Sequence, residues 1–142
     1  MNKNIEFIDK LRSSGLRPTK QRLKICEVLF NREGTFHFTI NDLSKKISVE
    51  LNEKISLATV YNTVHHFEKK GYLKEIAINS DKSYFDTNTS DHHHFYDEDT
   101  HELIDCHQND LDPINIKNNV TGKKIKSVEV LIKVASDNQN QN

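Results

Sequence analysis

The chain has 142 residues and a mass of 16.5 kDa, room for one ordinary domain or two small ones and too little for a large multidomain enzyme. Its 35% hydrophobic and 29% charged content is that of a soluble globular protein, and no run approaches the roughly 18 apolar residues of a membrane span. A net charge of −1 conceals a split: residues 1–75 carry 14 Lys and Arg against 9 Asp and Glu, and residues 76–142 carry 6 against 12. The basic half suits phosphates, while the acidic half, which also holds five of the eight histidines, suits a cation.

The N-terminal residues lack the apolar core of a signal peptide, which predicts a cytoplasmic protein with no membrane partner. Cys26 and Cys106 form no C-x-x-C pair, which argues against a thiolate zinc ribbon or a disulfide framework. Ile5, Ile8 and Leu11 predict a first helix ended by Gly15, and Pro18 opens a second with Leu23, Cys26 and Phe30 on one face. A third helix starts at Thr39 as N-cap, with Leu43, Ile47 and Leu51 inward. A fourth starts near Ser56, burying Leu57, Val60, Val64 and Phe67 and stopping at Gly71.

The period then changes. Tyr72–Ile78 and Lys82–Thr87, separated by Asn79-Ser80-Asp81, read as a β-hairpin. Helices followed by a hairpin predict an α+β chain with an N-terminal winged helix-turn-helix at 1–87 and a linker at 88–90. A small α/β dimerisation domain follows at 91–136, with strands at His92–Tyr96 and Glu102–Cys106, a helix near Asp110–Val120 and a strand at Ile125–Val134. A unit of that size buries little core alone, so pairing of two copies is expected. The polar tail 137–142 reads as disordered.

With its apolar stripe inward, the fourth helix presents Ala58, Thr59, Asn62, His65 and His66, flanked by Tyr61. Short polar and small apolar groups are what base edges in the major groove accept, which makes these residues the candidate DNA-reading face. Arg17, Lys20 and Arg22 are candidate phosphate contacts, adding affinity without sequence information.

In the acidic half, the alternation of a strand puts His92 and His94 on one side and His93 on the other. A His-x-His pair with a nearby carboxylate, for which Asp86 is suited, begins the nitrogen and oxygen shell of a divalent cation such as Fe2+, Mn2+ or Zn2+. Cys26, on an apolar helix face, reads as a core residue.

The runs Gly15-Leu16-Arg17-Pro18-Thr19-Lys20-Gln21-Arg22, Leu57-Ala58-Thr59-Val60-Tyr61-Asn62-Thr63-Val64 and Tyr84-Phe85-Asp86 followed by His92-His93-His94 resemble the ferric uptake regulator (Fur) superfamily in register over nearly the whole chain. Tyr84 to Asn88 leading to Asp91-His92-His93-His94-Phe95 is most similar to its iron response regulator (Irr) branch. The resemblance implies a homodimeric winged-helix regulator of iron or haem homeostasis genes on AT-rich inverted-repeat operators. In it Tyr61 touches a base and Arg17 and Arg22 lie near the backbone.

By the same register, His37 and Asp105 join Asp86, His92 and His94 as metal ligands. Such a shell takes donors from both domains, so that a cation would tie the lobes together and select dimers competent for DNA. The Irr likeness adds haem as a cofactor, with His92, His93 and His94 as candidate axial ligands. This chain has one fewer residue between Asp86 and the histidines than typical relatives, which leaves His92 and His93 competing for one role. The C-x-x-C zinc pairs of many relatives are absent, and only Asp112 matches their second metal site. A peroxide-sensing repressor using His- and Asp-bound ferrous iron is the alternative. A metal-dependent hydrolase ranks below both, because no nucleophile or general base accompanies the cluster.

Overall fold

The structure is a computed structural model that describes residues 3–137, and the chain divides into two compact units at the Thr89–Ser90 bond. The first unit runs α1 (Lys3–Ser13), α2 (Lys20–Phe30), β1 (His37–Phe38), α3 (Ile40–Leu51), α4 (Leu57–Lys70), β2 (Lys74–Ala77) and β3 (Ser83–Asp86). The second runs β4 (His94–Asp97), β5 (Glu102–Asp105) and β6 (Leu131–Val134). Of the tail expected to be disordered, residues 138–142 lie outside the described residues.

Side chains set the helix starts. Thr39 Oγ1 accepts from the Asp42 N–H (3.1 Å) while Asp42 Oδ2 accepts from the Thr39 N–H (3.2 Å), a reciprocal cap on α3. Ser56 caps α4 by accepting from the Thr59 N–H, and Gly71 ends it at φ 94°, a left-handed conformation that costs a residue with a Cβ about 1 kcal/mol or more. The stripe of α4 that faces the core is Val60, Thr63, Val64 and Phe67; its apolar members join Leu43 and Ile47 of α3 and Ile25, Cys26 and Leu29 of α2 in one cluster. Leu57, expected in that stripe, is exposed, because in the first turn of α4 it precedes the part that the other helices cover. Along α1 the inward residues are Phe7 and Leu11, and Ile5 is exposed.

The sheet of the first unit has the order β1-β3-β2, with the β2–β3 hairpin as the wing. Unforeseen in sequence, β1 pairs antiparallel with β3 and sets His37 opposite Asp86 and Phe38 opposite Phe85. In the second unit β4 is central, antiparallel to β5 and parallel to β6, with Tyr96, Leu103 and His94 buried. The helix expected near Asp110–Val120 is absent, the last strand is confined to Leu131–Val134, and the strand expected from His92 begins at His94, where its pairing with β5 and β6 starts. Pro113 supplies no N–H, and Ile114, Ile116 and Val120 are all exposed, so a helix there has no buried face to stabilise it.

Candidate functional site

Two groups of imidazoles and carboxylates lie on or just before strand ends, one in each unit. In the first, His37 and Asp86 are direct partners across β1 and β3 and therefore share a face of the sheet. Asp86 is only 1% exposed, and its Oδ1 accepts from the Asn88 N–H at 2.8 Å. A carboxylate this deeply buried is stable only with donors or a cation around it.

In the second unit His94 and Asp105 are direct partners across β4 and β5, and the His92 and His94 rings lie 4.3 Å apart, centre to centre. Both histidines turn Nε2 to one carboxylate oxygen: Asp105 Oδ1 is 3.4 Å from His92 and 3.1 Å from His94. The ligand atoms of His92, His94 and Asp105 all lie within 4.8 Å of one another.

The backbone fixes the tautomers. His92 Nδ1 is 2.7 Å from the Ser90 carbonyl oxygen, which can only accept, so Nδ1 carries the hydrogen. In the neutral ring Nε2 then offers a lone pair toward the Asp105 carboxylate. Two electron pairs facing each other are stable only with a proton or a metal ion between them, and a second-sphere carbonyl on the far nitrogen is the usual support of a metal-binding histidine. His93 is set the other way. Its Nδ1 accepts from the Val130 N–H at 2.9 Å, which leaves Nε2 protonated in the neutral ring. The donor set of imidazole nitrogen and carboxylate oxygen suits Zn2+, Mn2+ or Fe2+.

Neither thiol belongs to these groups. Cys26 is fully buried, and burial pushes its thiol up to about 12 despite the opposing Lys10 charge. The Cys106 thiol is raised by desolvation and then by the Asp110 and Asp105 carboxylates.

The candidate DNA-facing residues lie on α4, at the start of α2 and, for Arg17, in the loop before it. Tyr61, Ala58 and Asn62 are exposed, and Thr59, His65 and His66 are half-buried. Tyr61 packs on His65 at 4.1 Å between ring centres, and His65 in turn meets Phe85 edge-on. His66 Nδ1 donates to the Ser14 carbonyl at 3.0 Å, which commits it to the α1–α2 loop. Arg17 and Lys20 are exposed. Arg22 is engaged within the unit: Nη1 donates to the Arg17 carbonyl (3.0 Å) and Nη2 to Asn62 Oδ1 (3.4 Å). Sequence reasoning missed this link, since residues 40 positions apart on polar helix faces give no periodic signal.

The profile of the Ferric uptake regulator family matches residues 13–134. The chain is 35% identical over 121 residues to the peroxide operon regulator of Bacillus subtilis (strain 168), covering 84% of this chain and 81% of that protein. Its fold is similar to that of the Vibrio cholerae ferric uptake regulator, with a TM-score of 0.67, 24% identity and coverage of 91% of this chain and 98% of that one. The manganese-bound ferric uptake regulator of Pseudomonas aeruginosa is similar too, at a TM-score of 0.65 and 22% identity over 92% of this chain and 97% of that one. Among the described residues, no helix is long and apolar enough to cross a membrane.

Proposed function

The chain belongs to the ferric uptake regulator family, and from that premise we propose that it is a metal-responsive transcriptional regulator acting in the cytoplasm as a DNA-binding homodimer. The observation that carries the reading is the convergence of His92 and His94 Nε2 on one Asp105 oxygen, with the His92 tautomer set by Ser90. His92, His94 and Asp105 supply too few donors for a closed shell around a divalent cation, which takes four to six. His37 and Asp86 are the complement: we assign the ligand set as His37, Asp86, His92, His94 and Asp105, drawn from both units.

The cation would supply positive charge that binds these side chains together. What the chain does is couple that binding to DNA, because a shell shared by the DNA-binding unit and the second unit favours one arrangement of a paired molecule over others. The opposite tautomer of His93 supports His92 in the contested ligand role. A donor set of imidazoles and carboxylates favours a bare ion over haem, for which His92, His93 and His94 are the candidate axial ligands.

Arg17, Lys20 and Arg22 form the basic flank of the proposed DNA surface, and Ala58, Thr59, Tyr61, Asn62 and His65 form its reading face on an AT-rich inverted repeat. Replacing His92 and His94 together by Ala tests the proposal. The variant should stay folded and dimeric and lose the change of DNA affinity on adding manganese or ferrous iron; a retained response would move the sensor elsewhere.

The signal we propose is iron or haem availability, with peroxide as the alternative. The Irr-like run from Tyr84 to His94 favours iron, and the likeness to the Bacillus subtilis peroxide operon regulator favours peroxide. Mass spectrometry of the iron-loaded protein after peroxide tests the alternative: an added oxygen atom on His37 or His92 indicates the peroxide sensor, and an unmodified protein counts against it.

A further inference from the structure

Arg22 lies in the first turn of α2, yet its guanidinium is engaged within the unit. Nη1 donates to the Arg17 carbonyl at 3.0 Å, Nη2 donates to Asn62 Oδ1 at 3.4 Å, and Nε is buried with no acceptor among the described residues. One planar group therefore joins the α1–α2 loop, α2 and the exposed face of α4. A guanidinium has no acceptor, so the Asn62 atom that faces it must be the oxygen. The two N–H groups of the Asn62 amide are thereby turned away from Arg22, on an exposed residue beside Tyr61.

We infer that Arg22 is a positioning residue that fixes the Asn62 side chain as a hydrogen-bond donor to base edges, and so helps to set which operator base pairs are accepted. The inference rests on the DNA-reading role proposed above and changes the part of Arg22 from phosphate contact to specificity. An unheld asparagine presents oxygen or nitrogen with equal ease. Asn62, with its oxygen engaged, presents donors, which match guanine N7 and O6, adenine N7 or thymine O4 and disfavour the amino groups of cytosine and adenine. Lysine cannot replace Arg22, because an ammonium on a flexible stem lacks the fork that bonds Arg17 and Asn62 together.

The test uses the full chain loaded with manganese and a randomised duplex pool, with sequencing of the bound fraction. The proteins are wild type, Arg22→Lys, Arg22→Ala, Asn62→Ala, Asn62→Asp and the Arg22→Ala/Asn62→Ala double variant, each checked by circular dichroism. Arg22→Lys and Asn62→Ala should flatten the preference at the same base pairs by roughly tenfold. The double variant should lose no more discrimination than either single change, and the salt dependence should stay within about half a unit of wild type. Asn62→Asp keeps a partner for Arg22 and exchanges donors for an acceptor, so its preference should move toward pairs that present an amino group.

Undiminished preference in Arg22→Lys would overturn the inference. So would a salt slope lowered by about one unit in Arg22→Ala with preference intact, the mark of a lost phosphate contact. If Arg22→Ala fails to fold, Arg22→Lys and Asn62→Asp decide the matter. A wild-type protein that enriches no sequence would defeat the DNA-reading proposal itself, and the inference with it.

Discussion

His37 stands directly opposite Asp86 across β1 and β3. His94 and Asp105 repeat the arrangement across β4 and β5 in the other unit. Cross-strand partners share a face and lie about 5 Å apart at Cβ, so each unit presents an imidazole beside a carboxylate without help from the other. If one ion draws on both pairs, removing a ligand from either should weaken it alike. His37→Ala and Asp105→Asn should each lower manganese affinity by more than the roughly 10–100-fold that loss of an outer-shell partner costs. Calorimetric titration checks this, and undiminished affinity in His37→Ala would confine the site to the second unit.

Tyr61 is 55% exposed and packed at a tilt against His65, a geometry that offers its ring and hydroxyl to a partner while fixing its direction. Tyr61→Ala should weaken operator binding by about tenfold or more, the worth of one good base contact, and leave binding to unrelated DNA nearly unchanged. Fluorescence anisotropy on both duplexes measures the difference; equal losses on the two would remove Tyr61 from base reading.

Cys26 is sealed in the core with its thiol held at about 12. In native protein at pH 8 it should resist iodoacetamide until unfolding exposes it, because the thiolate is the nucleophile. Cys26→Ser should lower stability by about 1–3 kcal/mol, since a hydroxyl replaces a thiol where no water reaches. Peptide mapping and denaturant melts report the two effects. Rapid native alkylation would make a thiol sensor of this residue.

Asp99, in the turn between β4 and β5, accepts from both the backbone N–H and the hydroxyl of Ser136, just past β6. Those hydrogen bonds, side chain first, hold its carboxyl below the ordinary range. A carboxyl lowered in the folded state contributes its stability above the unfolded value, near 3.9, and loses it as the pH falls through the lower folded value. Hydrogen exchange of the Ser136 amide, compared with Asp99→Ala, should show protection at neutral pH that the variant lacks. Equal protection in both would remove the bond.

Much of the first unit is legible in the chain because its punctuation is local. Thr39 with Asp42, Ser56 and Gly71 bound their helices through hydrogen bonds and a backbone angle that those residue types supply by themselves. Asn79-Ser80-Asp81 marks the wing in the same way, through the Asn79 side chain that accepts from the Asp81 N–H. What escapes is set by contact at a distance. The strand His37–Phe38 is two residues long and exists only because β3 lies beside it. Leu57 is apolar and in phase, yet no neighbour covers it. In the second unit, the helix expected near Asp110–Val120 fails to form because Ile114, Ile116 and Val120 find no buried face. Of the candidate site, the residue types and the shared side of His92 and His94 are readable; the opposite tautomers of His92 and His93 depend on Ser90 and Val130 and are visible only in three dimensions.

The most direct measurement is DNA affinity of the unmodified chain as metal is removed and returned. After exhaustive chelation the protein is titrated with manganese or ferrous iron while anisotropy follows an operator duplex. Coupling of the usual size, about 1–3 kcal/mol, predicts affinity rising roughly 5–150-fold on loading and falling again on chelation. Identical affinity for the operator in the chelated and loaded protein, with metal shown to be bound, would contradict the account.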